Sequence, residues 1–338
     1  MTAKRLTVPS KSWTAALFNR RNVGQFGMVF FVLALLLVFS LLKPDFFSIF
    51  FNGANLNNIG RQTTLLMITA FAMTFVILSG EIDISIGAIA SLAGMVIVLQ
   101  MNDEVAFPLA IVSGLTVGAV IGLVNGFLTV KGKLPAFIVT LSTLSIVKGI
   151  ALALSNGSTV RFSENTYRDV FARGSLVLPA DVQIPMPIII VVVLFILLNF
   201  LLTRTRFGSN IYAVGGNAQS ARLAGIPVDR VKILVFVLSG ILVSFAAVVY
   251  TARLGNGQPE GMVGYELDAI AAVVIGGTSF SGGRGSLWRT VLGALLIGVL
   301  DNAVSLMGLD FNLKLAVKGG TIILAVLVDY YSRGRNKS

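Results

Sequence analysis

The chain has 338 residues, 55% hydrophobic and 12% charged, with 26 Lys and Arg against 15 Asp and Glu and a formal net charge of +11. A soluble domain of this size carries about twice that charged fraction, whereas the apolar runs here are about 20 residues long, enough to cross a hydrocarbon core of about 30 Å. The absence of Cys and His excludes disulfides, thiol nucleophiles, His-based acid–base chemistry and the usual zinc and haem ligands, so no metal site and no catalytic residue is nominated.

The pattern predicts an all-α polytopic membrane protein. A polar tail over 1–23 precedes a single transmembrane domain over 24–330, and a second tail occupies 331–338. Within the domain, ten spans are expected at roughly 24–42, 58–79, 84–101, 106–130, 136–154, 186–203, 233–252, 268–282, 287–307 and 312–330. The third and eighth are short and rich in Gly, Ala and Ser, so either can be a broken or re-entrant helix. No cleavable signal follows the first apolar run. With the N-terminus inside, 17 of the 26 basic residues fall in cytoplasmic segments, which puts both termini in the cytoplasm. The basic excess therefore marks loops of a membrane protein, not a nucleic-acid surface. The longest outside loop, about 155–185, is too short for a separate domain.

Two acidic steps interrupt the apolar pattern. The first is Ser79, Glu81, Asp83 and Ser85 between spans two and three, and the second is Glu266 and Asp268 at the start of span eight. Acidic residues at membrane depth are costly, so they face a cavity or a partner. Three roles stand open: accepting hydrogen bonds from amides freed at a helix break, pairing with Lys148 or Arg61, or lining a permeation path or proton relay. Lys148 and Lys318, each in a Val-Lys-Gly step, are candidate charge partners inside the bundle. Asn125 and Asn302 either join helices or line the path. The same choice applies to the polar run from Thr140 to Ser145, since such hydroxyls also bond back to helix carbonyls.

These steps recur in a common order. Glu81 and Asp83 echo Glu266 and Asp268, Gly118 to Asn125 echoes Gly293 to Asn302, and Val147-Lys148-Gly149 echoes Val317-Lys318-Gly319. Spans 2–5 and 7–10 run in opposite senses, the arrangement of an inverted repeat with interrupted helices framing a substrate path.

The inside connector, about 203–232, carries a second signal. Asn217 is an N-cap, 218–224 favours helix, Gly225 suits the left-handed position after a helix, and Pro227 blocks continuation. A helix of about seven residues is marginal alone in water. Ala221, Leu223 and Ile226 can dock into a groove on a cytoplasmic partner, the reading favoured over a helix lying on lipid headgroups. The glycine-rich 276–286 lacks the Lys that a phosphate loop needs, so it is read as close packing or a tight turn.

Several segments resemble the permease subunits of bacterial ATP-binding-cassette sugar importers of the ribose, xylose and galactoside group, and lean toward ribose permeases. They are Leu78 to Gly87, Gly215-Gly216-Asn217 with Ala224 to Val228, Gly264 to Thr278, and Gly282 to Gly285. Glu81 stands where Gly is common in that group, and Ile84 and Ile86 stand where Leu and Val are expected. The resemblance implies a homodimeric permease of the vitamin-B12-importer fold type in the bacterial inner membrane. It also implies a cytoplasmic ATPase partner carrying ATP and Mg, a periplasmic sugar-binding protein, and no cofactor on this chain. Gly215, Gly216, Asn217, Ala221, Leu223, Gly225 and Ile226 would then form the segment that couples to the ATPase. Import of a monosaccharide, ribose or another pentose, is the expected function. An ion-coupled secondary transporter using Glu81, Asp83, Glu266 and Asp268 is the alternative.

Overall fold

The computed structural model describes residues 23–179, 182–308, 316, 319 and 320. Most of the span expected at 312–330, Lys318 and almost all of both tails lie outside the described residues. The chain opens with α1 (Val23–Leu42) and a short α2 (Phe46–Phe50), followed by α3 (Gly53–Leu78), α4 (Ile86–Asn102), α5 (Phe107–Val130) and α6 (Ala136–Leu154). The segment 155–185, expected as a plain loop, holds β1 (Val160–Arg161), α7 (Asn165–Arg168), a π-turn over Asp169–Arg173, β2 (Ser175–Leu178) and β3 (Val182–Pro185). Then come α8 (Met186–Arg204), α9 (Arg206–Gly216), α10 (Ala218–Leu223), α11 (Val228–Leu254), β4 (Asn256–Gly257), α12 (Tyr265–Ile275) and α13 (Leu287–Leu306).

Among the described residues, six helices are long and apolar enough to cross a membrane: α3, α5, α6, α8, α11 and α13. Helix α4 is shorter, at 17 residues. The eighth expected span is a different object from the one its hydropathy implies. Helix α12 has 11 residues, about 16 Å at 1.5 Å per residue, well short of the hydrocarbon core. It starts earlier than expected and stops at Ile275, because the next residues include Gly277, Gly282 and Gly283, all with positive φ, where a helix cannot continue.

Helix packing rests on small residues, since lipid gives two apolar helices no hydrophobic reason to meet. Gly118, Gly122 and Gly126 form one stripe of α5 that lies on α11. A Cβ at Gly118 would collide with the Gly240 carbonyl, and one at Gly240 with the Gly118 carbonyl. Helix α13 packs on α3 and α12: Gly298 abuts Thr63, and Gly293 abuts the Ala272 carbonyl. Leu65, Phe71, Phe75 and Leu78 of α3 join Val235 and Phe236 of α11 in the main core.

The outer segments are tied down by polar contacts. Strand β1 pairs antiparallel with β4, Val160 opposite Gly257. Tyr167, fully buried, donates its hydroxyl to the Val248 carbonyl at 2.8 Å. Lys148 of α6 forms an ion pair with Glu260 at 2.5 Å.

Candidate functional site

Helix α3 ends at Ser79, whose hydroxyl donates to the Val76 carbonyl at 2.7 Å, and Gly80 turns the chain with φ +84°. The residues between α3 and α4 leave backbone amides without helical partners, and side chains of the break itself and of α6 accept two of them. Asp83 Oδ1 accepts the Ser85 amide at 2.9 Å and the Ser85 hydroxyl at 2.5 Å. Asn125 of α5 donates to Ser85 Oγ at 3.0 Å and accepts from Thr143 Oγ1 of α6 at 2.6 Å. Thr140 Oγ1 accepts the Ile84 amide at 3.3 Å. Asp83, Ser85 and Asn125 have no exposed surface. At Asp83 the carboxylate thus holds the Ser85 amide and hydroxyl through Oδ1, while Oδ2 is buried without a hydrogen-bond partner.

The second step is built alike. Gly264 has φ +103° and precedes α12, and Glu266 turns back so that both carboxylate oxygens accept the Gly264 amide at 3.0 Å. Asp268 shares the first turn of α12, where an acidic side chain complements the helix dipole. The two breaks touch. A Cβ at Gly87, in the first turn of α4, would collide with Glu266 Oε2 and the Met262 carbonyl. The Met262 amide donates to Ser91 Oγ at 3.0 Å.

The charge partners differ from those expected. Glu81 pairs with Lys232 of α11, their side chains 16% and 20% exposed. Arg61 instead donates to the Ala172 carbonyl at 2.7 Å. Lys148 lies eight residues beyond Thr140, which touches the first break, and so about 12 Å further along α6; that distance leaves it to Glu260. Asn302 is at neither break. Its amide pairs reciprocally with that of Asn55 at 2.9 and 3.0 Å, joining α13 to α3. Ser142 and Ser145 bond back to the carbonyls of Ile138 and Leu141. Ser142 and Thr143 rim a cleft of about 520 Å³ between α5 and α6, with mainly aliphatic walls such as Val120, Val124 and Ile146; such walls offer sugar hydroxyls few partners.

The connector contains the expected capped helix, one residue shorter. Asn217 Oδ1 accepts the Ser220 amide at 2.8 Å, and Gly225 follows α10 with φ +81°. The Ile226 amide returns to the Ala221 carbonyl at 3.0 Å, closing the C-terminus. The three apolar residues expected to face a partner separate: Ala221 is buried in the core of the bundle, Ile226 packs beside it, and Leu223 is 85% exposed. Ala221 is therefore a foot of the helix on its own chain, not a docking residue. Asp229 holds Arg222 at 2.6 Å and Lys131 at 3.0 Å.

Helix α9 was not foreseen in the connector, and it brings Gly215 and Gly216 against two other glycine segments. A Cβ at Gly215 would collide with the Leu78 carbonyl and meet the Gly283 amide nitrogen at 2.7 Å. One at Gly282 would lie 2.7 Å from the Gly215 carbonyl oxygen and 2.9 Å from Gly80 Cα, and one at Gly283 would lie 2.5 Å from Gly216 Cα. The Gly283 amide donates to the Leu78 carbonyl at 2.9 Å, and Tyr212 donates to the Gly285 carbonyl at 2.9 Å. The connector, the first break and the turn after α12 thus meet backbone to backbone.

Comparison with known proteins places this arrangement. Residues 55–326 match the family model described as branched-chain amino acid transport system / permease component. The chain is 42% identical to the ribose import permease protein of Escherichia coli (strain K12) over 300 residues, 88% of this chain and 91% of that one. It is 36% identical to the L-arabinose ABC transporter permease protein of Azospirillum brasilense, over 94% of this chain and 90% of that one. It is 38% identical to the D-allose transport system permease protein of Escherichia coli (strain K12), over 89% and 90%. No solved structure matches the chain. With most of its length inside one family model and full-length relatives at these identities, the chain belongs to the family of transport-system permease components.

Proposed function

We propose that this chain is the membrane-spanning subunit of an ATP-driven importer that moves a monosaccharide, ribose or another pentose, delivered by a periplasmic binding protein. The observation that carries the reading is the 42% identity to a ribose import permease over nine tenths of both chains. An L-arabinose permease among the relatives supports a pentose. The chain itself performs no covalent chemistry in this reading: ATP and Mg act on a cytoplasmic ATPase, and two permease copies alternate access.

The finer architecture belongs to the same proposal. Ten spans, both termini cytoplasmic in a bacterial inner membrane, and a vitamin-B12-importer-like fold accommodate the described helices. The inverted repeat is supported by exchanged packing. Helix α5 lies on α11, the first helix of the other half, and α13 lies on α3, the first helix of its own counterpart. Each half then carries an acidic step at the start of its second helix, just before α4 in one and in the first turn of α12 in the other. The ATPase would dock on α10, where Leu223 stands clear of the bundle. The ion-coupled alternative finds no support among the relatives, which are import and transport-system permeases, and Glu81 and Glu266 are engaged by Lys232 and the Gly264 amide.

The test is uptake of labelled ribose into proteoliposomes holding the chain with its ATPase and binding protein. Uptake is expected only with all three and ATP, and unlabelled ribose should compete. Uptake by this chain alone, driven by an ion gradient, would overturn the reading.

A further inference from the structure

We infer that the Glu81–Lys232 ion pair and the glycine junction beside it are the linkage through which the connector displaces both helix breaks, with Glu81 and Lys232 as positioning residues for transport. The inference rests on the transport reading above and adds the route by which motion at α10 reaches the path.

The argument is mechanical. At Gly215, Gly282 and Gly283 there is no room for a Cβ, and the atoms in the way are backbone atoms of the facing segment. Backbones in direct contact, with no flexible side chain between them, move together. The Leu78–Gly283 hydrogen bond spans the same contact. The N-terminal side of the connector is therefore clamped to the end of α3 and to the turn after α12.

Its C-terminal side reaches the same place by charge. Lys232 lies in the second turn of α11, at the C-terminal end of the connector, and its ammonium group seats on Glu81 one residue past Gly80. Both side chains are mostly buried, where ion pairing is screened little by solvent. Helix α10 sits between these two attachments, held through Ala221 and the Arg222–Asp229–Lys131 contacts, with Leu223 projecting outward. Displacement of α10 must then carry Glu81 and Gly80 with it, and Gly282 and Gly283 at the base of α12. The first break passes the displacement to the second where Gly87 abuts Glu266.

Two measurements decide the point. In proteoliposomes with the full complex, Glu81→Gln and Lys232→Gln should each lower the sugar moved per ATP hydrolysed by about fivefold or more, the scale of a coupling free energy between sites. Lys232→Arg and the exchange Glu81→Lys with Lys232→Glu should recover most of that ratio. A purely structural loss lowers uptake and ATP hydrolysis together and leaves the ratio unchanged, and that result would overturn the inference. The second measurement needs no substrate: hydrogen exchange of the detergent-solubilised full chain. In both Gln variants, exchange should rise together over 78–86 and 280–286. A rise confined to 78–86 would refute the linkage. If the wild type fails to import ribose, the transport reading fails while the exchange result still decides the linkage.

Discussion

Asp83, Asn125 and Asn302 are buried polar side chains of similar size, and their partners separate their roles. Asp83 and Asn125 hold the chain where α3 and α4 part, whereas Asn302 closes a reciprocal amide pair with Asn55 on a continuous helical seam. Replacing Asn302 by Leu should cost about 0.5–2 kcal/mol, the span found for hydrogen bonds between membrane helices, read as a lower thermal midpoint in detergent. Asn55→Leu should cost somewhat more, since Asn55 also donates to the Phe50 carbonyl at 2.9 Å, and the double substitution should cost less than the sum of the two, because each single change leaves a polar atom of the other side chain without its partner. Additive losses would show that the two amides do not act as a pair. Asp83→Leu should be worse than either, since it strips the Ser85 amide and hydroxyl of their acceptor inside the bundle. The acidic steps were legible in the sequence because carboxylates amid apolar runs stand out. Lys232 was not legible as the partner of Glu81, 151 residues away, because charge type alone cannot choose among distant cations.

Helix α10 shows what local chemistry can specify. Asn217 and Gly225 bracket it through contacts within a few residues, so its limits follow from neighbours in the chain. Gly225→Val forces a β-branched residue into φ +81°, which strains the C-terminus; Asn217→Ala removes the cap, at about 1 kcal/mol. Both should reduce sugar-stimulated hydrolysis by the partner ATPase while the chain still inserts in the membrane; unchanged stimulation would argue that α10 does not couple. Helix α9, the pairing of β1 with β4 and the early end of α12 escaped sequence reading. Each depends on a distant surface: α9 buries Ile211 and Val214 in the bundle core, and β1 has only two residues and exists through a partner strand far along the chain, Val160 opposite Gly257 and Arg161 opposite Asn256.

Across the molecule, the order of packing depends on how closely backbones approach. The stripe Gly118, Gly122 and Gly126 lets α11 lie directly on α5, and Gly118→Leu should separate the two helices, with loss of the folded, monodisperse protein on size-exclusion chromatography. A surface glycine such as Gly149, whose Cβ would meet nothing within 4 Å, should tolerate Ala with no change. The sequence by itself determined that this is a helical membrane protein, roughly where its spans run, where two acidic breaks fall and where a capped helix lies between spans. These follow from apolar run length, charge and capping, which act over a few turns of chain. Only the tertiary structure decided that the breaks touch through Gly87 and Glu266, that Glu81 belongs to Lys232, that Asn302 joins helices, and that the connector locks onto both breaks at Gly215 and Gly283. Such contacts arise where surfaces far apart in sequence fit within a few ångströms, and no local pattern encodes that fit.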